Sequence, residues 1–143
     1  MGDLSLRDAT VEDSSVIADL MTQIDFPNTP EEMEQRLNEL LNLPDYHAIV
    51  AEKDGKVIGM LGVFLGRKFE KKDLFGRILT MAVDKEYRFK GIGGLLMEQA
   101  EKWLISKGAN LVVIYSGEDS SSAHGFYKQQ GFQKSGVRFI KDL

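Results

Sequence analysis

The chain contains no cysteine, which removes disulfides, thiolate nucleophiles and cysteine-ligated zinc at the outset. It has two histidines, His47 and His124, too far apart in sequence to suggest a metal site. It also lacks a long apolar run: Val57 to Gly66 is ten residues, against the roughly 20 that cross a bilayer as a helix. No basic-then-apolar leader opens it, and Leu6 interrupts the Met-Gly-x-x-x-[ST] pattern of myristoylation, so a cytoplasmic protein without membrane contact is expected. Its 143 residues suit one domain that buries about two-thirds of its unfolded surface, and 43% hydrophobic with 28% charged residues argues against disorder.

A concentrated basic face is missing as well, which argues against a nucleic-acid binder. Net charge is −4, unevenly spread: residues 1–66 carry a balance of −9 and residues 67–143 a balance of +5. The positive half suits an anionic ligand, and the negative half would attract cations.

Against these absences stands one glycine-rich segment. The apolar run Ile78 to Val83 leads into Asp84-Lys-Glu-Tyr-Arg88-Phe89-Lys90-Gly91-Ile92-Gly93-Gly94, and an amphipathic helical pattern follows at once. Such a turn offers free backbone N–H groups, a helix N-terminus and two cations, Arg88 and Lys90, which together make a cradle for a diphosphate. A Walker A loop fails, because Lys90 precedes Gly91 and no Ser or Thr follows. A dinucleotide fingerprint fails too, because Leu96 stands where its third small residue should be. The pattern [RQ]-x-x-G-x-[GA] fits in register on Arg88, Gly91 and Gly93.

That segment resembles the coenzyme A loop of the GNAT superfamily of N-acetyltransferases. Downstream, Ser120-Ser-Ser-Ala123-His-Gly-Phe126-Tyr127-Lys-Gln-Gln-Gly131-Phe132 is similar to the family's second signature, N-x-x-A-x-x-[FL]-Y-x-x-x-G-F, with Ser120 in place of asparagine. The overall pattern also resembles small members grouped with aminoglycoside 6′-N-acetyltransferases. The resemblance implies acetyl-CoA as acyl donor, a small-molecule amine as acceptor, no metal, and a monomer or homodimer. It implies contacts to the cofactor from Met81, Ala82, Val83, Arg88, Phe89, Lys90, Gly91, Ile92, Gly93, Gly94, Ser120, Ala123 and Tyr127. A coenzyme A-binding sensor or subunit without turnover is the alternative.

Hydrophobic spacing supplies the elements. Ser5 to Ala9 reads as a strand, and Thr10 with Asp13 as a capping box for a helix to about Ile24. Thr29-Pro30-Glu-Glu32 starts a second helix, ended by Pro44. Strands at 48–52 and 56–65 flank the hairpin signal Asp54-Gly55, and Gly59, Gly62 and Gly66 suggest bulges or close neighbours. A strand from Leu74 to Val83 enters the cradle. Ile92, Leu95, Leu96, Gln99, Trp103 and Leu104 mark the inward face of the next helix. Leu111 to Ser116 reads as a buried central strand, Ser120 to Gln130 as a short helix, and the alternating tail from Phe132 as one broken or two short strands. The order βααβββαβαβ(β) is that of the GNAT fold, an α/β mixed twisted sheet flanked by helices in a single domain. The resemblance further implies that its fourth and fifth strands splay apart around the cofactor.

Acetyl transfer to an amine needs a neutral nucleophile, stabilisation of the oxyanion and a proton for the departing thiolate. Tyr127 is the expected proton donor, since a phenol with a pKa of about 10 stays protonated at neutral pH. The resemblance implies that backbone N–H groups around Met81 to Val83 meet the oxyanion. The general base stays open: Arg77 occupies the position where many relatives carry glutamate, and Glu118, Asp119, Asp73 or a water relay are alternatives, with Glu118 and Asp119 preferred. The resemblance implies that the helical pair between Thr10 and Leu43 lies over the acceptor side, and its acidic residues then suggest a small cationic acceptor.

Overall fold

The computed structural model describes residues 3–115 and 121–143. They form two compact units, one up to Val113 and one from Ile114 to Leu143.

In the first unit, strand β1 (Leu4–Asp8) pairs antiparallel with β2 (Tyr46–Lys53), and β2 with β3 (Lys56–Arg67) across the Asp54-Gly55 turn. Both turn residues have positive φ, 50° and 82°, as a two-residue hairpin requires. Strand β3 pairs with β4 (Leu74–Val83), and β5 (Ala109–Ile114) is placed beside β4, giving the sheet order β1-β2-β3-β4-β5. The β3–β4 register runs from Arg67 opposite Leu74 to Gly59 opposite Val83. By contrast, β5 meets β4 at few of the described residues. Gly62 faces Thr80 and Val63 faces Ile78, so Leu79 is an extra residue and β4 carries a bulge there.

The glycines of β3 mark close approaches, as expected, and Gly76 of β4 adds one that the sequence reading did not single out. A Cβ on Gly59 would lie 3.3 Å from Leu96, and one on Gly76 would lie 2.3 Å from Leu104. Both leucines belong to α3 (Ile92–Ser106), so the two missing side chains let this helix lie directly on the sheet. Its buried face is Ile92, Leu96, Met97, Ala100 and Leu104. The expected face included Leu95 and Gln99, which are exposed; with 3.6 residues per turn they lie one step to the wet side of Leu96 and Ala100.

Helix α1 (Ser14–Gln23) follows a 3-10 turn at Val11–Asp13 rather than starting at Thr10. The capping carboxylate has a further task. Asp13, 7% exposed, accepts the Thr10 N–H at 2.8 Å and both guanidinium N–H groups of Arg7 at 2.9 Å. Arg7 also donates to Glu52 at 3.2 Å, so one cation ties β1, β2 and the start of α1 together. The Arg7 guanidinium holds the Asp13 carboxyl below the ordinary carboxylate range. Helix α2 (Pro30–Leu40) begins as expected: Glu32 N–H donates to the Thr29 hydroxyl at 3.1 Å and Thr29 N–H to the Glu32 carboxylate at 2.8 Å. Among the described residues no helix is long and apolar enough to cross a membrane.

The second unit holds α4 (Ser121–Gln129), closed by Gly131 at φ 92°. Two expectations fail around it. The tail after Phe132 forms neither helix nor strand, and Val137, Phe139 and Ile140 are exposed. Alternation prepares a segment for pairing, but a strand forms only where its backbone groups find a partner edge. The fifth strand also departs from a buried central position: Leu111 is 49% exposed and Asn110 is exposed. A continuous apolar run can therefore sit with one face open.

Candidate active site

At the end of β4 the backbone is tied down residue by residue. Asp84 N–H donates to the Ile58 carbonyl at 2.8 Å, anchoring the strand end to β3. The Asp84 carboxylate accepts Glu86 N–H at 2.9 Å and caps the 3-10 turn Lys85–Tyr87, and that bond pulls its pKa down. Arg88 then runs extended, and its Nε donates to the Val83 carbonyl at 2.9 Å. This bond fixes the stem of the guanidinium beside the turn.

Phe89 and Gly91 both adopt positive φ, 63° and 84°. For glycine this is free; for a bulky side chain it costs roughly 1 kcal/mol or more. Gly91 is the N-cap of α3 and supplies no side-chain acceptor, and a Cβ there would meet nothing within 4 Å. The N–H groups of Ile92, Gly93 and Gly94 open the helix, and a first turn has no intrahelical acceptors for them. The N-terminal end of a 15-residue helix therefore faces outward with its partial positive charge, next to Arg88 and Lys90. This arrangement can hold a diphosphate.

Gln23, the last residue of α1, joins the cradle from elsewhere in the sequence. Its amide oxygen accepts Lys85 N–H at 2.9 Å, and its amide nitrogen donates to Asp84 at 3.3 Å and Asp19 at 2.9 Å. Two cations also flank Tyr87: Lys53 Nζ and Lys90 Nζ lie 5.8 Å and 5.6 Å from the ring centre. The aspartate after a strand, two residues before an N–H it caps, is a legible signal for Asp84. Gln23 has none, because its partners in the turn are 61 and 62 residues away.

The expected site residues thus fall into three groups. Met81, Ala82, Val83 and the segment from Arg88 to Gly94 come together in the first unit. Ala123 and Tyr127 lie on α4 in the second, where the Tyr127 ring meets Phe126 and Phe132 edge-on, with centroids 5.8 Å and 6.0 Å away. Burial raises the Tyr127 pKa, which keeps the phenol protonated. Glu118, Asp119 and Ser120 lie outside the described residues. His124, on α4, is half-buried.

The model of the acetyltransferase (GNAT) family matches residues 15–132, and the chain belongs to that family. It is an acetyltransferase of the kind that uses acetyl-CoA and an amine. Among relatives, it is 29% identical over 140 residues to an aminoalkylphosphonate N-acetyltransferase of Salmonella typhimurium, covering 96% of this chain and 90% of that protein. Its fold matches a GNAT family acetyltransferase of Staphylococcus aureus with a TM-score of 0.85 at 23% identity, over the whole of both chains. It also matches an aminoglycoside acetyltransferase from an uncultured soil metagenomic sample, with a TM-score of 0.83 at 20% identity over 98% and 96% of the chains.

Proposed function

We propose that the chain transfers the acetyl group of acetyl-CoA to the primary amine of a small, cationic acceptor, acting in the cytoplasm as a single domain, monomeric or homodimeric. The observation that carries the cofactor part is the cradle: α3's uncapped first turn behind a left-handed Gly91, beside an Arg88 whose stem is fixed. Donors of this kind at a helix start fit a diphosphate. The sparse meeting of β4 and β5 supports an opening for the pantetheine arm. Acetyl-CoA supplies an activated acyl group; the protein's part is to hold it, shield it and move protons. Tyr127 is the proposed donor to the departing thiolate, because a phenol is protonated at neutral pH, and burial shifts its pKa further up. Glu118 remains the proposed general base.

The cationic preference rests on the exposed side of α2, where Glu31, Glu34 and Glu39 line a shallow groove with Gln35 and Asn38. A field of one sign raises the local concentration of a cationic acceptor. A second reading is favoured by the other end of β4. There a groove is lined by Arg67, Lys68, Lys71 and Lys72, with one carboxylate, Glu70, around the exposed Phe69. It would suit an amine that also bears an anion, and the relative acting on aminoalkylphosphonates supports that class. A thiol-release assay over diamines, aminoglycosides, lysine-type amines and aminoalkylphosphonates tests both. Release with none of them overturns the proposed acceptor classes, and a wide preference for the phosphonates overturns the purely cationic acceptor.

A further inference from the structure

Arg77 is the residue of β4 to which the chemistry so far gives no role, since a guanidinium cannot take a proton from an amine. The sheet register says which face it occupies, because directly opposed residues of an antiparallel pair share a face. Val50, Met60 and Ala82 form one row across β2, β3 and β4, buried in the same core as Met21 of α1 and Leu37 of α2. One row on, the Thr80 hydroxyl donates to the Met21 sulfur at 3.8 Å. The next row on the same face is Tyr46, Phe64 and Arg77. All three are only half-buried, and so is Phe75, two residues before Arg77 on β4. Between Thr80 and Arg77 the dry part of this face therefore gives way to an aromatic strip that is partly open to water. The Tyr46 and Phe64 rings meet with centroids 5.0 Å apart. The Phe75 ring fills the space that a Cβ on Gly66 would need, and Lys68 Nζ stands 6.0 Å from its centre. The opposite face, at Gly76, is taken by Leu104 of α3.

We propose that this strip is the floor on which the acceptor lies, with Arg77 binding the anion of an amine that carries a phosphonate and the rings covering its alkyl chain. The proposal rests on the anion-bearing reading of the acceptor given above and adds the residue that selects for it. A guanidinium offers paired N–H donors that match two oxygens of one phosphonate, where an ammonium is only a point charge. Lys68 extends the positive field at the outer end of the strip, continuous with the groove between β3 and β4. The position along β4 fits as well. The pantetheine arm is as long as roughly four extended residues. Laid along β4 from the cradle at Val83, it brings its thioester to Leu79, two residues from Arg77. Two strand residues span about 7 Å, so the acceptor is short, its anion a few bonds from its nitrogen. In the transfer the neutral amine nitrogen bonds to the acyl carbon, the C–S bond breaks, and one proton of the nitrogen ends on the thiolate.

The test compares three short amines by thiol release from acetyl-CoA on the full chain: 2-aminoethylphosphonate, propylamine and 1,3-diaminopropane. Wild-type protein is expected to favour the phosphonate over propylamine at least tenfold in kcat/KM. Arg77→Gln should cut that ratio at least tenfold, through KM for the phosphonate. Arg77→Lys should recover part of it, and Arg77→Glu should turn the preference towards the diamine. Calorimetry with acetyl-CoA checks that each variant is folded, since the cradle lies at the other end of β4. A second measurement needs no variant: ethylphosphonate, which has no amine, should compete with 2-aminoethylphosphonate on wild-type protein, and 1-propanol should not. A phosphonate preference that survives Arg77→Gln, or no competition by ethylphosphonate, overturns the role of Arg77 and leaves acetyl transfer standing. A wild-type preference for the diamine overturns it in favour of the cationic acceptor. Release with none of the three, while acetyl-CoA still binds, removes the acceptor reading on which the proposal rests.

Discussion

The two signatures of this chain fold into regions of different build. The first, Arg88 to Gly94, is clamped between a strand anchored to its neighbour and a helix whose Ile92, Leu96, Met97, Ala100 and Leu104 are buried in the core. The second, on α4, has no fully buried residue among those described; its tyrosine is held by two neighbouring rings, Phe126 and Phe132. The contrast is between a binding surface made by backbone direction and a proton donor made by one hydroxyl. Backbone donors need a rigid support, since a shift of an ångström misaims all of them together. A single hydroxyl needs only a dry flank and one bond vector.

The comparison breaks most sharply at Tyr127. Tyr127→Phe keeps the ring and its edge-on contacts, so acetyl-CoA affinity should hold while kcat falls by about ten- to a thousandfold. Steady-state kinetics beside calorimetry checks it; wild-type turnover would return the residue to packing alone. At the cradle the signature reverses. Arg88→Glu should raise the Kd for acetyl-CoA at least tenfold, about 1.4 kcal/mol, and Gly93→Val should do comparable harm. Unchanged binding in both variants refutes the cradle.

A smaller effect tests whether the support and the binding surface are separable. Asp13→Asn removes the charge that Arg7 holds, and should cost about 1–2 kcal/mol, discounted because Arg7 is over a third exposed. The melting temperature should drop by several degrees with the Kd for acetyl-CoA unchanged. The sign in pH follows from the lowered Asp13 pKa: its stabilisation is present above about pH 4 and is lost as pH falls through the folded value. Melting curves of Asp13→Asn should therefore lack part of the acid limb seen in wild type. The smallest effect belongs to the rim of α2. Replacing Glu31, Glu34 and Glu39 by glutamine, and leaving the capping Glu32 in place, should raise KM for a cationic acceptor a few-fold. The gap should close near 0.5 M salt, where screening acts over only a few ångströms.

Much of this was legible in the residues. The Asp54-Gly55 hairpin, the Thr29–Glu32 cap, the strand Leu74–Val83 and the Arg88–Gly94 turn all rest on local chemistry, and local chemistry is what sequence spells out. What escaped was decided between distant segments. The pairing of the tail depends on an edge, the exposure of Leu111 on what covers it, and the tie of Gln23 to Asp84 on a meeting of α1 with the end of β4. Asp13 shows both cases in one side chain. Its cap on Thr10 is visible in the pattern, and its bond to Arg7 is not.

That tie of Gln23 matters to anyone who would re-engineer the molecule. The segment holding α1 and α2 looks like a module, bounded by strands and far from the glycine-rich loop in the chain. Its last α1 side chain is nevertheless a rivet in the loop's own framework, through Lys85 N–H and Asp84. A transplanted helix pair that brings another residue to position 23 would arrive with the loop loosened, and the graft would be blamed for a fault in its seam.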